Sequence, residues 1–578
     1  MNKFKNKGGP VQRHRVMISA AVVAAAIGFV PNVAQASDQP ADRTGSVAAK
    51  IDSVKAAAAS SAVFHSPAER TVRKATTTAP ADAGKNGKAA AAPQTAAAGA
   101  GAAAAKDNPG LAVDLLASGT TAHGFSLASQ ISTSVESSIR VEINWGDGQT
   151  ETTHTTNARL LKSNHKYSEV GNHKVTVTLT DLNNNVTATN SVEVQASGSK
   201  FTPHGPTRLL DTRDGTGTGT AAGPVGAYGT TRVKVGGNSG IPSGATAVAL
   251  NVTVTNARSG GHITAYPSGT EQPKTSNVNF VAGQTVPNMT IVPVGADGYV
   301  ELVNRSYGDV DLIADVTGYF TRTNASGYTS LDPARIVDSR VGLGTSWGQV
   351  GGQSTFPVQI AGQAGVPSWG VTAVALNVTV TNPRNSGHLT LFPSGQQAPS
   401  TSNVNFTSGQ TIANSVIVPV GSDGRINVRN GGWDPADVIV DVVGYYSPDS
   451  KAAYLPVTPT RLYDSREWSP VPGQDYSYLP LGDGKPWVTG YVLNATVTNT
   501  QGDGHLTVAP DPNTWSQYLS GTQIRPTPPN SSSLNWTKGA TVPNLVQAST
   551  GKNGVIDLWN RSWQPTDMVV DMFGLYEY

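Results

Sequence analysis

Three segments of this sequence are versions of one another, and this repetition constrains the fold more than any other feature. RLLDTR (208–213), RIVDSR (335–340) and RLYDSR (461–466) open the segments, 127 and 126 residues apart. An ALNVTVTN-like word, a GHIT or GHLT word and a closing hydrophobic strand follow in each. Because solenoid repeats have periods of about 20–50 residues, we expect three tandem domains, called repeat 1 (200–322), repeat 2 (327–447) and repeat 3 (453–578).

The repeats have the pattern of β structure. Val248, Leu250, Val252 and Val254 alternate with small or polar residues, and the other two repeats preserve the alternation. Hairpin turns are predicted at ADG (296–298), SDG (422–424) and KNG (552–554). We therefore predict an all-β, multi-domain protein whose repeats are β-sandwich or jelly-roll-like. The short linkers between repeats predict a semi-rigid rod.

Residues 1–36 have the features of a signal peptide. A basic start precedes an apolar run from Ile18 to Val30, and Ala34-Gln35-Ala36 is a small-x-small cleavage site. The run is too short for a membrane anchor, so we expect cleavage, secretion and no membrane span afterwards. Residues 37–110 are Ala-rich and poor in large apolar residues, which predicts a disordered stalk.

Residues 111–197 form a different unit. In VEINWGDGQTE (141–151) the pair Asp147-Gly148 suits a tight hairpin, and HKYSEVGNHKVTVTLTD (165–181) ends in a period-2 strand. NWGDGQ, HKY and GNHKVTVTLTD resemble the PKD domain, which implies an immunoglobulin-like β-sandwich serving as an extracellular spacer or adhesion module. The three repeats are similar to tandem modules of secreted actinobacterial proteins, and this resemblance implies no particular activity.

The composition excludes several classes of chemistry. Cysteine is absent, which rules out thiol catalysis, cysteine-ligated zinc and iron–sulfur clusters. The net charge is +2 with 14% charged residues, so no basic stripe for nucleic acid is expected. We predict no cofactor and no metal.

A first recurring set combines arginine and aspartate at the start of each repeat. Asp211 and Arg213 are expected to share one face of a strand, with Arg208 on the other face. A carboxylate beside a guanidinium forms a bidentate pair. We favour an internal ion pair over an arginine fork for an anionic or sugar ligand. The set, kept as candidate binding residues, is Arg208, Asp211, Arg213, Arg335, Asp338, Arg340, Arg461, Asp464 and Arg466.

Two further sets recur. The pairs Asp311/Asp315, Asp437/Asp441 and Asp567/Asp571 lie four residues apart, about 13 Å along a strand, which is too far for a glycosidase pair. We expect them to pair with the arginines. One histidine per repeat follows a glycine: His262, His388 and His505. We interpret these candidate binding residues as hydrogen-bonding groups at strand starts, because one histidine per domain makes no metal site.

Asparagines and aromatics complete the candidates. Asparagine recurs at four positions of each repeat. We interpret its side-chain amides either as hydrogen-bond partners of backbone groups in irregular connections or as hydrogen-bond partners of sugar hydroxyls. The repeated asparagines are Asn251, Asn377 and Asn494; Asn279, Asn405 and Asn535; Asn288, Asn414 and Asn544; Asn304, Asn430 and Asn560. Trp347, Trp433 and Trp563 lie in loops without strict equivalence, and repeat 3 diverges through a longer middle loop over 511–533.

Three functional hypotheses follow. The leading one is a secreted, non-catalytic adhesion or binding protein that holds cell-wall or extracellular polysaccharide multivalently. The second is a structural surface or matrix protein whose partner is another cell-surface protein. The third is a hydrolase with its site in the divergent repeat 3.

Overall fold

The computed structural model describes residues 47–60, 62–67, 71–75, 107–219, 221–481 and 485–578. The predicted signal peptide and most of the predicted stalk lie outside these residues. Within the described ranges, none of the helices has the length and apolarity that a bilayer crossing requires. The chain divides into two units, one of residues 59–197 and one of residues 198–578 with the N-terminal residues up to Ala58.

The unit of residues 59–197 is a β-sandwich. One sheet has the order β1-β3-β4-β7 and the other β2-β9-β8-β5-β6, all antiparallel. The strands are β1 (Val63–His65), β2 (Val72–Ala75), β3 (Ala112–Gly119), β4 (Gly124–Ser132), β5 (Ile139–Asn144), β6 (Thr150–Thr155), β7 (Arg159–Lys166), β8 (Asn172–Asp181) and β9 (Val186–Gln195). The predicted sandwich is confirmed.

The two words that carry the family resemblance meet in this sandwich. Asp147 lies in the turn between β5 and β6, and His165 Nε2 is 2.8 Å from its Oδ2. The Trp145 ring stacks on His165 with centroids 4.6 Å apart, and Tyr167 Oη donates to the Trp145 carbonyl at 2.8 Å. Burial, the largest single influence, opposes ionisation of Asp147, but the hydrogen bonds from His165 and the Gln149 backbone N–H and the attraction to His165 together outweigh it, so the pKa of Asp147 is lowered. The words thus tie the β5–β6 turn to the core.

The prediction of a disordered stalk is wrong for three of its segments. A helix, α1, runs over Val47–Ser60, and strands β1 and β2 each add an edge to one sheet of the sandwich. Val63 pairs with Ser118, and Val72 pairs with Thr189. A short strand at a sheet edge gains backbone hydrogen bonds from its neighbour and needs few large apolar residues. Composition alone therefore does not predict these two strands.

Each repeat consists of eight strands in two antiparallel four-stranded sheets, which confirms the predicted sandwich architecture. Repeat 1 contains β10 (Lys200–Asp211), β11 (Thr230–Lys234), β12 (Ala247–Thr255), β13 (Gly261–Pro267), β14 (Val278–Phe280), β15 (Val286–Pro293), β16 (Tyr299–Asn304) and β17 (Asp311–Thr321). Repeat 2 contains β18 (Gly327–Asp338), β19 (Thr355–Gln359), β20 (Ala373–Thr381), β21 (Gly387–Pro393), β22 (Val404–Phe406), β23 (Ile412–Pro419), β24 (Arg425–Asn430) and β25 (Asp437–Ser447).

Repeat 3 adds two short helices to the same plan. Its strands are β26 (Ala453–Asp464), β27 (Asp475–Pro480), β28 (Val488–Thr498), β29 (Gly504–Pro510), β30 (Leu534–Trp536), β31 (Val542–Ser549), β32 (Val555–Asn560) and β33 (Asp567–Glu577). A 3-10 turn covers Ser465–Glu467, and helix α2 (Trp515–Ser520) lies in the longer middle loop. Lys55 of α1 pairs with the buried Glu577 of β33 at 2.5 Å.

Each repeat has an inner sheet, which faces the apolar centre shared by the three repeats, and an outer sheet on the other side of its sandwich. The inner sheet of repeat 1 has the order β10-β17-β12-β15, and the outer sheet β11-β16-β13-β14; repeats 2 and 3 follow the same order. The predicted hairpin turns at ADG, SDG and KNG are turns, but each joins an inner strand to an outer strand, so no hairpin forms. A turn residue pattern specifies local chain reversal and leaves open which strands pair.

The inner sheets are buried on both faces. Val248, Leu250, Val252 and Val254 point into the core of repeat 1, as predicted. Ala249 and the corresponding Ala375 and Val492 point the opposite way, into a second core shared by all three repeats, which also contains Ala247 and Ala373. Its aromatic members are Phe201, Phe320, Tyr328, Tyr446, Tyr454, Phe573 and Tyr576. The predicted semi-rigid rod is therefore wrong, because the repeats surround a common apolar centre.

The backbone also joins the repeats into a closed ring. Phe201 exchanges backbone hydrogen bonds with Ser326, at 2.7 and 3.0 Å, and Tyr328 donates to Ala452 at 3.0 Å. Ser199 and Tyr454 exchange bonds of 2.9 and 2.8 Å, which connects repeat 3 back to the start of repeat 1. The short linkers thus turn the chain around the centre.

An asparagine ring completes the closure; it consists of Asn251, Asn288, Asn377, Asn414, Asn494 and Asn544. Asn414 Nδ2 donates to Asn251 Oδ1 at 2.9 Å, and Asn414 Oδ1 accepts from the Met289 backbone N–H at 3.1 Å. The same two bonds link repeat 3 to repeat 2 and repeat 1 to repeat 3. Two of the four recurring asparagine positions therefore hold the repeats together.

Candidate functional site

The recurring arginine and aspartate side chains form one ion-pair cluster per repeat. Arg208 Nε lies 3.0 Å from Asp315 Oδ1 and its Nη1 3.0 Å from Asp211 Oδ2. Arg213 Nη2 lies 2.7 Å from Asp211 Oδ2. Repeats 2 and 3 contain the same contacts through Arg335, Asp338, Arg340 and Asp441, and through Arg461, Asp464, Arg466 and Asp571. These contacts are the internal ion pairs that we favoured over an arginine fork for a ligand.

A β-bulge corrects the predicted facing of Arg208. Strand register shifts between Arg208, opposite Asp315, and Leu210, opposite Ala314, so Leu209 is an extra residue. The bulge reverses the alternation and brings Arg208 to the side of Asp211. The equivalent shift occurs in repeats 2 and 3.

The aspartate pairs divide their roles. Asp315 pairs with Arg208 as predicted, but Asp311 instead accepts from Thr212 Oγ1 and Asn256 Nδ2, both at 2.8 Å. The expectation of an arginine partner is therefore wrong for Asp311, Asp437 and Asp567, since a neighbouring hydroxyl and amide reach them first. Burial raises the pKa of Asp315, whereas the hydrogen bond from Arg213 lowers the pKa of Asp211.

The three histidines are half-buried and neutral. Burial lowers the pKa of His262, His388 and His505, and that of His505 to about 4. The predicted side-chain hydrogen bond is wrong: within the described ranges, none of the three imidazoles has a hydrogen-bond partner. Gly431 leaves the space that the His388 ring fills, because a Cβ there would overlap the imidazole.

The clusters and histidines come together across a repeat boundary. A groove of about 540 Å³ lies between repeats 2 and 3. Repeat 2 contributes Arg335 and Arg340 to its wall, and repeat 3 contributes His505. The other lining residues are Thr379, Thr381, Gly409, Thr411, Ile439, Asp503, Gly504, Asn530, Ser531, Ser532, Asn535, Trp536 and Thr537. Three of the predicted candidate residues therefore share one site.

Two polar side chains of the groove wall lack partners. Asn535 Oδ1 and Ser531 Oγ have no hydrogen-bond partner in the described part of the chain, although Ser531 is only 3% exposed. In repeat 1 the equivalent Asn279 Oδ1 accepts from Ser276 Oγ at 3.0 Å, and repeat 2 has the same contact. In repeat 3, Ser532 Oγ instead meets Thr379 Oγ1 of repeat 2 at 3.3 Å. The divergent repeat thus frees an acceptor in the groove.

The groove carries no excess of positive charge. Asp338 and Asp441 hold Arg335 and Arg340 in ion pairs, Asp503 adds a carboxylate, and His505 is neutral. Arg340 remains 43% exposed along its side chain, so it presents N–H groups without a net charge around it. Hydroxyls, amides and paired guanidinium groups suit a polar, uncharged ligand.

The sequence interpretation missed an equivalence among the loop aromatics. Tyr307, Trp433 and Trp563 each stand three residues after the recurring asparagine at the end of β16, β24 or β32. They are 85%, 85% and 84% exposed. Trp433 and Trp563 are therefore equivalent, contrary to the expectation, and counting from Asn304, Asn430 and Asn560 reveals the alignment in the sequence.

Known proteins provide little further information. No family model matches the chain, and neither does any curated protein. Among 13 matching solved chains is one described as giving the structural basis for the promiscuous specificity of carbohydrate-binding modules from the β-sandwich superfamily. It is 12% identical over 34% of this chain and 86% of its own length, with a TM-score of 0.13. A TM-score this low carries no argument, and the strand topology establishes the β-sandwich repeats without it.

Proposed function

We propose that this chain is a secreted, non-catalytic binding protein whose three-repeat unit holds a neutral polysaccharide in the groove between repeats 2 and 3. The observation that carries the proposal is Asn535 Oδ1 on the wall of that groove, which has no partner among the described residues although its counterparts Asn279 and Asn405 have one. Buried polar atoms normally have partners, and sugar hydroxyls supply both donors and acceptors.

The charge of the groove favours a neutral sugar over an anionic one. A site for sulfate, phosphate or uronate needs guanidinium groups free to form bidentate contacts. Here Arg335 already donates hydrogen bonds from Nε and Nη2 to Asp441 and from Nη1 to Asp338. Among the described residues that line the groove, Asp503 is the one carboxylate, which supports binding without catalysis there, because a glycosidase requires a pair of carboxyl groups.

Export and the role of the smaller unit are part of the proposal. Secretion rests on the signal-peptide features of residues 1–36. The sandwich of residues 59–197 is proposed to be a PKD-type spacer or adhesion module, on the basis of the WGDG and HKY words. Together these features support the proposal that the polysaccharide-binding unit acts outside the cell.

The test is binding of the full-length chain to insoluble neutral glycans, cellulose and chitin, beside the anionic glycan polygalacturonate. We expect retention on a neutral glycan, and weakening by about tenfold, or about 1.4 kcal/mol, in Asn535→Ala. Asn279→Ala is the matched control, because its Oδ1 already has an internal partner. Absence of retention on both neutral glycans, or equal binding by Asn535→Ala and the parent, would overturn the proposal.

A further inference from the structure

The three exposed aromatics stand on loops of the same construction. In repeat 1, Asn304 is fully buried, and its Nδ2 donates to the carbonyls of Gly226 at 2.9 Å and Gly308 at 2.8 Å. Its Oδ1 accepts from the backbone N–H of Ser306 at 3.1 Å. One asparagine therefore ties both sides of the loop, and Tyr307 stands at the tip between the tied residues.

Repeats 2 and 3 repeat this arrangement. Asn430 Nδ2 donates to Val350 at 3.1 Å and Asp434 at 3.0 Å, on either side of the Trp433 loop. Asn560 Nδ2 donates to Val471 and Gln564, both at 2.9 Å, around Trp563. A loop tied at both ends loses little conformational entropy when its tip binds a ligand.

Exposure at these tips runs against the usual behaviour of large aromatics. Phenylalanine, tyrosine and tryptophan bury about 150–250 Å² each in cores and interfaces, yet these three leave more than four-fifths of their surface in water. Stability of the fold does not account for an aromatic ring held in solvent at one position of every repeat. Contact with a ligand surface that covers the rings accounts for their exposure in the free protein.

Each tip also borders a histidine at the start of an outer strand. The Arg561 backbone N–H donates to the His505 carbonyl at 2.9 Å, two residues before Trp563. At the corresponding points, the Gly431 backbone N–H donates to the His388 carbonyl at 2.9 Å, and the Arg305 backbone N–H donates to the His262 carbonyl at 2.8 Å. His505 lines the groove, so the Trp563 loop adjoins the groove wall.

We propose that Tyr307, Trp433 and Trp563 are three equivalent stacking positions for the pyranose rings of a neutral polysaccharide. The negative face of an aromatic ring attracts polarised C–H groups, and a pyranose presents several on one face. This inference rests on the proposed function and adds where, and how many times, the polysaccharide is held. Three weak contacts on one unit strengthen binding to a repetitive surface more than to a short soluble glycan.

The experiment uses the full-length chain and cellulose and chitin particles, with the soluble hexasaccharides of the same glycans for comparison. The test variant combines Tyr307→Ala, Trp433→Ala and Trp563→Ala. The matched control combines Trp347→Ala, Trp369→Ala and Trp468→Ala, which removes three other exposed tryptophans. Far-ultraviolet circular dichroism and the urea midpoint check that both variants are folded.

We expect the test variant to lose at least about tenfold in affinity for particles, and the control to stay within about twofold. Each single substitution at the tips should weaken binding by less than the triple variant. Equal binding by the test variant and the parent, where Asn535→Ala still weakens binding, would overturn the stacking positions and leave the groove in place. A loss explained entirely by one tip would overturn the threefold arrangement, and a parent that binds neither glycan would overturn this inference together with the proposed function.

Discussion

The asparagine ring makes a quantitative prediction for Asn414→Ala. The substitution removes three buried hydrogen bonds: to Asn251 Oδ1 at 2.9 Å, to the Asn403 carbonyl at 2.6 Å, and from the Met289 N–H at 3.1 Å. A buried polar group left without a partner costs about 1–3 kcal/mol. At that cost for each of the three groups, we expect the free energy of unfolding to fall by about 3–9 kcal/mol.

The assay is urea denaturation of the full-length chain, followed by tryptophan fluorescence. Nine of the ten tryptophans lie in residues 198–578, so the signal reports the three-repeat unit. Because the repeats share a core, we expect one cooperative transition that moves as a whole to lower urea. The matched control is Asn385→Ala, whose side chain meets Asp434 at the surface. Its effect should stay within about 0.5 kcal/mol.

A stepwise result would refute this reasoning. If repeat 2 unfolded alone in Asn414→Ala while repeats 1 and 3 kept the parent's midpoint, the repeats would be independent domains. An effect of Asn414→Ala no larger than that of Asn385→Ala would show that the ring contributes nothing to the closure.

Two other predictions concern the cores. Gly444→Ala should destabilise the three-repeat unit by about 1–3 kcal/mol, because a Cβ at this position overlaps the Tyr328 ring. The control is Gly244→Ala, whose added Cβ meets open space. Equal urea midpoints of the two variants would contradict the packing of Tyr328 against Gly444. Burial and a hydrogen bond shared with Asp511 raise the pKa of Asp557, so the folded state keeps a proton that the unfolded chain releases above about pH 4. Stability should therefore fall as pH rises above that point, and Asp557→Asn should flatten the decline in melting temperature between pH 5 and 9; a variant with the parent's slope would contradict the assignment.

Much of the outer architecture was accessible from the sequence. The threefold repetition, the β-sandwich class and the core-facing row beginning at Val248 follow from repeated words and period-2 alternation. The ion pair between Asp211 and Arg213 also followed from their spacing. The contact between Arg208 and Asp211 did not, because a β-bulge at Leu209 reverses the alternation without leaving a signature in the local sequence.

The candidate site was accessible only in part. Arg335, Arg340 and His505 were recognised as recurring residues, but they lie in different repeats and 165 or more residues separate either arginine from the histidine. Nothing in a linear pattern states which repeat faces which. The equivalence of the loop aromatics, by contrast, could have been found in the sequence by counting three residues from the repeated Asn304, Asn430 and Asn560.

By itself, the sequence determined the β class of the repeats, their number and one face of each inner strand, since these depend on repetition and local periodicity. Only the tertiary structure decided what the opposite face does. Its alanines, asparagines and threonines have the polarity of a solvent-facing surface, yet Ala247 packs in the shared core and Asn251 lies in the asparagine ring. Small and polar residues can be buried when their hydrogen bonds are satisfied by another domain, and that partner is defined only by the closed arrangement of three repeats.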